Sequence, residues 1–429
     1  MLLSLLTLTL SPAVSATGDD WPQYLGPDRN GTVPALDTTF QWGDDGPDEL
    51  WRVEIARGFG GVSVRDGKVF LMDRDGSFGD LLRVFDVETG EELWGDGYEA
   101  PGRLNFDGSR SVPAVDAERV FTQGGFGHVA AFDREEQRLA WVHDMREVFG
   151  GRDPMFGWSN SVLLEDGKVI ATALGEDVGI VAFDPKSGDE IWVTQGLGYS
   201  HSTPTVLELF GERVLVFLST SYPASGVDEA APTQVSGIDL DDGDLLWQFE
   251  TTLTRLPIPP PVQIDETRVF LTGGYRAGST MVRFGQDEGK VTFEELFHID
   301  RGAQVHTPLR LDDYLYVIVN ENWTHNRRNK AEGGLLCLSL DGEEVWRTGD
   351  DPFFGRGSAI LAGRHLIIQD GDTGFLHVVQ ANPEAYVEVA RADLFGAADR
   401  RSNQMWAPLA LSGKRLLLRS QTELVCVEL

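Results

Sequence analysis

A chain of 429 residues with 68 acidic against 36 basic side chains carries a formal net charge of −32, and a surface of that sign repels nucleic acid and anionic membranes. Hydrophobic residues at 41% and 49 glycines describe a chain that buries a large core while turning often, which excludes a disordered polymer.

Residues 1–16 hold an apolar run (Leu2, Leu3, Leu5, Leu6, Leu8, Leu10) followed by Val14-Ser15-Ala16. This fits the small-residue cleavage rule of an export signal, although no basic residue precedes the run. The run is too short to span a bilayer, and no transmembrane segment is expected. Export places the mature protein in the periplasm or outside the cell; the alternative for this run is a buried N-terminal strand or helix. Residues 17–48 form an N-terminal extension whose packing the sequence leaves open. A strand-like segment, Glu49-Leu50-Trp51-Arg52-Val53-Glu54, follows.

From there a turn followed by a β-rich run recurs. Its copies are Asp66-Gly67-Lys68, Asp116-Ala117-Glu118-Arg119, Asp166-Gly167-Lys168, Gly211-Glu212-Arg213, Asp265-Glu266-Thr267-Arg268, Asp312-Asp313-Tyr314, Gly363-Arg364 and Gly413-Lys414. The copies lie roughly 50 residues apart, the period of a four-stranded propeller blade. A second signature rides on the first: an aromatic residue follows an apolar residue by nine positions, as in Phe85 to Trp94, Phe132 to Trp141, Phe183 to Trp192, Ile238 to Trp247 and Phe284 to Phe293. The sixth copy, Leu338 to Trp346, is one residue shorter. Constant distance from a turn means constant register, so these indoles are read as packing between neighbouring blades.

The fold expected is therefore all-β: an eight-bladed β-propeller of four-stranded antiparallel blades over residues 49–429. The eighth repeat ends at Leu429 without an outer strand. The segment around Trp51 has the pattern of the missing strand, so an N-terminal strand is expected to close the ring and remove an exposed edge. Cys337 and Cys426 stand where other repeats carry Ala131 and Ala182; both are read as small core residues, and no zinc-ligand spacing exists.

Residues 221–234 and 320–334 are inserts, the second locally basic with Trp323, His325, Arg327, Arg328 and Lys330. Loops on a rigid scaffold suit a partner or a cover over the channel. The run Asp73-Arg74-Asp75-Gly76-Ser77-Phe78-Gly79-Asp80 superficially suits calcium but lacks the distal Glu of a calcium loop, and is read, like Asp370-Gly371-Asp372-Thr373-Gly374, as a plain acidic turn.

Phe85-Asp86-Val87-Glu88-Thr89-Gly90-Glu91-Glu92-Leu93-Trp94 and Phe183-Asp184-Pro185-Lys186-Ser187-Gly188-Asp189-Glu190-Ile191-Trp192 resemble the pyrroloquinoline-quinone (PQQ) type repeat. Asp20-Trp21-Pro22-Gln23-Tyr24-Leu25-Gly26-Pro27-Asp28-Arg29-Asn30-Gly31 looks like the opening of exported PQQ-like propellers of planctomycete type. The resemblance covers nearly the whole mature chain and extends to outer-membrane assembly factor propellers. It implies the propeller fold, but the family spans dehydrogenases, assembly factors and other propellers. In the PQQ-dependent alcohol dehydrogenases it implies adjacent cysteines over the quinone and a calcium held by Glu, Asn and Asp. Here the cysteines lie far apart and no metal ligands can be placed, so PQQ with calcium is disfavoured.

In a propeller, residues entering each innermost strand ring one mouth of the channel. That position is held by Arg57, Arg110, Trp158 with Asn160, His201, Pro260, His306, Arg356 and Trp406, with Tyr199, Asn403 and Gln404 nearby. If these side chains converge, Arg110 and Arg356 pair with an anion, Trp158 and Trp406 stack on a ring, and His201 and His306 are the candidate proton carriers. The alternative is that they plug the channel and cap strand ends. The leading functional reading is an exported, non-catalytic ligand-binding or protein-interaction scaffold, monomeric, taking a small anionic or carbohydrate ligand or a protein partner. The alternatives are a lyase or hydrolase acting on acidic sugars and, third, a PQQ-dependent dehydrogenase.

Overall fold

The two-residue loop Asp66-Gly67 has positive φ at both positions (51° and 70°), the twist that joins antiparallel strands without splaying them. It links Val62–Arg65 to Lys68–Asp75, with Arg65 opposite Lys68. Gly79–Asp86 and Glu92–Glu99 complete the first four-stranded antiparallel sheet. Between its last two strands Asp86 accepts from the amides of Glu88 and Thr89, and Gly90 takes φ 71°. Asp184 and Gly188 repeat this arrangement in the third sheet.

The computed structural model describes residues 20–43, 46–221, 232–320, 333–396 and 404–429. The apolar run at 1–16, most of both inserts and Asn403 lie outside them. Eight sheets are present, forming the eight-bladed propeller read from the repeats. Their innermost strands begin at Val62, Ala114, Leu163, Thr205, Val262, Leu309, Ser358 and Ala410. The last blade holds Ala410–Ser412, Arg415–Arg419 and Glu423–Glu428, and Asp48–Glu54 pairs antiparallel on its outer side with Trp51 opposite Cys426. The acidic turns are turns: Asp75 accepts from Ser77 and Phe78, Asp80 pairs with Arg74 at 2.6 Å, and Asp370 accepts from Asp372 and Thr373.

Register breaks recur just before the tryptophan of an outer strand, where Leu50, Leu93, Ile191, Leu246 and Val345 are skipped and face solvent. In the fifth blade the break instead skips Leu296, so Phe297, packed on Gly342, takes the docking place expected of Phe293, which pairs in register with Phe284. The break swings the tryptophan inward, across a small partner in most blades: Ala182 for Trp192, Gly237 for Trp247, Cys337 for Trp346 and Cys426 for Trp51, with Val84 opposite Trp94 the exception. That is the physical reason the cysteines occupy alanine positions. Beyond its own sheet each ring reaches the next blade. Trp141 donates to the Pro185 carbonyl, Trp192 to Leu240 and Trp346 to Asn382, all at 3.1 Å. Between blades, aliphatic faces interlock, as where Val169, Ala171 and Val181 meet Phe121, Val129 and Ala131.

The N-terminal extension, left open by the sequence, is built into the ring. Trp21 exchanges backbone hydrogen bonds with Val64 of the first blade, each 2.8 Å, and Val115 of the second donates to Pro22. Arg29 reaches Glu165 at 2.5 Å and the Leu164 carbonyl at 2.6 Å in the third. Thr32–Val33 then pairs parallel with the strand Ser358–Ala362 of the seventh. These contacts all fall at or near the ends of innermost strands, so residues 20–33 strap across one mouth of the channel.

Candidate functional site

With one mouth strapped, the channel is a blind cavity of about 320 Å³, within the size range of small-molecule sites. Trp21, Tyr24 and Leu25 of the strap line its lower end, and the walls are formed by Ile360 of an innermost strand and by Val112 and Leu409, which lead into two others. The open mouth is set by residues that enter those strands.

Ring closure engages the wall hydroxyls. Ser161 Oγ accepts from the Val112 amide at 2.9 Å, Thr203 Oγ1 from the Ser161 amide at 3.0 Å, and Ser358 Oγ from the Leu409 amide at 3.0 Å. Tyr24 and Thr307 share one hydrogen bond at 3.3 Å. Each bond ties one blade, or the strap, to another. Buried polar groups need such partners.

The mouth is aromatic and cationic. Trp406 lies 5.2 Å from Phe59 and 5.7 Å from Phe106, and Phe106 is 5.8 Å from Phe156. The Arg356 guanidinium sits 4.4 Å over Trp406 and donates to Gln304 Oε1 at 2.7 Å; Gln304 in turn donates to the Tyr275 hydroxyl at 3.0 Å. Arg110 lies 5.9 Å from the Phe59 ring and donates to the carbonyls of Gly108 and Phe106. Desolvation and the nearby charge of Arg74 bring Arg110 down to about 10, which leaves it charged at neutral pH. Among the described residues lining the cavity there is no aspartate or glutamate, although the whole chain carries −32.

Both histidines are neutral. Burial, aided for His201 by the charge of Arg110, pushes His201 and His306 down to about 3. His201 is fixed between two hydroxyls, Ser159 Oγ at 2.9 Å from Nδ1 and Tyr199 OH at 2.7 Å from Nε2. His306 lines the cavity nine-tenths buried, and its imidazole has no hydrogen-bond partner among the described residues.

Of the residues predicted from sequence, Arg110, His201, His306, Arg356 and Trp406 meet at this one cavity. Trp158, Asn160 and Tyr199 do not line it. Trp158 is fully buried in the core of the third and fourth blades beside Gly127, so it offers no stacking face. Asn160 Nδ2 donates to the Ser202 carbonyl at 2.6 Å, and Tyr199 stands behind His201. Arg57 is exposed, Gln404 bonds Gln421 through its carbonyl, and Pro260 borders a separate small recess beside Arg29. Asn403 lies outside the described residues. Sequence reading missed Phe59, Phe106, Phe156, Gln304, Tyr275 and the strap; Phe106 and Phe156 stand one blade period apart, which was the available signal.

The residues present do not fit PQQ with calcium. A hard cation needs several oxygen ligands, whereas the cavity lining supplies no carboxylate and the described residues hold no cluster of three or more His, Cys, Asp or Glu side chains. Both cysteines are buried in interblade cores away from the channel.

A family model described as outer membrane protein assembly factor BamB matches residues 77–348. Among solved structures, BamB from Moraxella catarrhalis is similar with a TM-score of 0.57 and 14% identity, over 89% of this chain and 97% of that one. A europium-containing methanol dehydrogenase gives 0.64 and 12%, over 96% and 98%. Quinohemoprotein alcohol dehydrogenase from Comamonas testosteroni gives 0.62 and 12%, over 97% and 81%. At these identities the likeness is one of fold. No curated protein gives a significant sequence match, and no helix among the described residues is long and apolar enough to cross a membrane.

Proposed function

The chain belongs to the outer membrane protein assembly factor BamB family, whose model covers more than half of it, and from that premise we propose an exported, non-catalytic binding propeller whose channel mouth holds a small anionic ligand. One observation carries the reading: a blind cavity lined by Arg110 and Arg356 and by no carboxylate, in a chain of net charge −32. A partly desolvated guanidinium is offset best by an anion held through charge-assisted hydrogen bonds. The neutral histidines favour binding over chemistry, because a base near 3 takes up protons poorly around neutrality. Export is supported by the apolar run at residues 1–16 and by the family description.

A thermal-shift screen with galacturonate, PQQ with calcium, peptidoglycan fragments and neutral sugars tests this. A ligand at one hundred times its Kd stabilises the fold by about 2.7 kcal/mol. Anionic compounds should raise the melting temperature, and Arg110→Gln should abolish the rise. Shifts produced only by neutral sugars would count against the reading.

A second reading, hydrolysis of acidic sugars, has one observation in its favour: Ser159 Oγ and His201 Nδ1 are 2.9 Å apart at the cavity wall. It requires turnover of a defined substrate that Ser159→Ala abolishes.

A further inference from the structure

We propose that the ligand of the channel is an amphiphilic monoanion, an apolar body with a single acidic head, seated body-down on the strap with its head beside Arg110. The inference rests on the anion-binding reading of the same cavity and narrows it to a chemical class.

Three observations point the same way. First, the wall hydroxyls of Ser161, Thr203 and Ser358 accept from the amides that tie blade to blade. Each of these three hydroxyls keeps one O–H to donate, too few for the several hydroxyls of a sugar, so a sugar seated among them would leave most of its own without partners, at a cost for each buried polar group. Second, Leu25 and Trp21 of the strap and Ile360 and Leu409 of the walls line the deep part of the cavity. Apolar surface there gains from an apolar guest. Third, the charge stands at the mouth, where Arg110 donates only to backbone carbonyls and the nine-tenths-buried His306 imidazole has no partner among the described residues.

These features fix orientation as well as class. The strap covers one end, so a guest enters past the arginines and its charged end comes to rest among them. At about 30 Å³ for each liquid-like water, a cavity of about 320 Å³ matches on the order of ten heavy atoms, the size of a medium-chain carboxylate.

Titration calorimetry on the full chain tests this, using butyrate, hexanoate, octanoate and decanoate, with octanol and galacturonate as controls. We expect Kd to fall about fourfold for each added methylene until the cavity is full. Octanol and galacturonate should both bind at least tenfold more weakly than octanoate. Arg110→Gln should weaken octanoate by roughly 10- to 100-fold while leaving octanol unchanged, with its unfolding midpoint reporting that it folds. The methylene series needs no variant and stands if Arg110→Gln does not fold. Galacturonate binding as tightly as octanoate would overturn the amphiphile and leave the anion-binding cavity standing. Failure of every anion to bind would overturn both readings.

Discussion

The Trp51 indole donates to the Val87 carbonyl at 2.9 Å, across the junction where the last blade meets the first. Its ring also lies against Gly90, where a Cβ would come within 2.7 Å. The same geometry joins Trp141 to Pro185 and Gly188, and Trp192 to Leu240 and Gly243. The N-terminal strand therefore closes the ring by the docking contact that other blades use internally.

Trp51→Ala should destabilise the protein by about 3–5 kcal/mol through lost packing, and Trp51→Phe by less. Gly90→Ala should also destabilise, because φ is 71° and the indole fills the space. Urea midpoints measure all three. In Trp51→Ala, hydrogen exchange should rise first in Glu423–Glu428, the strand that Asp48–Glu54 covers.

Arg419 is the second closing device. Fully buried, it donates to the carbonyls of Ala56, Gly60 and Ser420, and desolvation lowers it to about 10. Arg419→Ala leaves those carbonyls without their donor and should cost at least about 3 kcal/mol. A loss below about 1 kcal/mol in the same urea titration would contradict this role.

The strap makes a prediction of its own. Arg29, held by Glu165 and the Leu164 carbonyl, is a trypsin site that the folded protein should shield. Trp21→Ala removes a fully buried ring from the strap and should make cleavage after Arg29 much faster than in the wild type. Equal cleavage rates would show that Trp21 does not anchor the segment.

The blade repeats were legible because turn and tryptophan keep a constant separation, and constant separation means constant register. The strap was not legible. It has no period, and its partners Val64, Glu165 and Leu361 become neighbours only once the ring has closed. The mouth was legible in part. Arg110, His201, His306, Arg356 and Trp406 were found by their place before an innermost strand, whereas Trp158 and Asn160 flank the lining residue Ser159 and face the wall. One residue along an extended chain reverses the side chain's direction, and the repeat alignment does not resolve one residue.

Acid should destabilise the protein through the two buried histidines. In the unfolded chain each protonates as pH falls below about 6.5, whereas in the folded protein each stays neutral down to about 3. The unfolded state therefore binds more protons in this window, and stability falls with falling pH by up to about 1.4 kcal/mol per unit for each histidine. His306→Asn should lose one of these two slopes, so its stability relative to wild type improves between pH 6 and 4. Parallel curves for the two proteins would contradict a neutral His306. Ligand affinity should stay flat from pH 6 to 8, since Arg110 titrates near 10.

The most direct measurement is a crystal structure grown with octanoate brominated at its far end. Anomalous scattering should place bromine deep in the channel near Leu25 and Ile360, with the carboxylate at the mouth within hydrogen-bond reach of Arg110. Bromine bound only on the outer blades, with the channel holding water alone, would contradict the account.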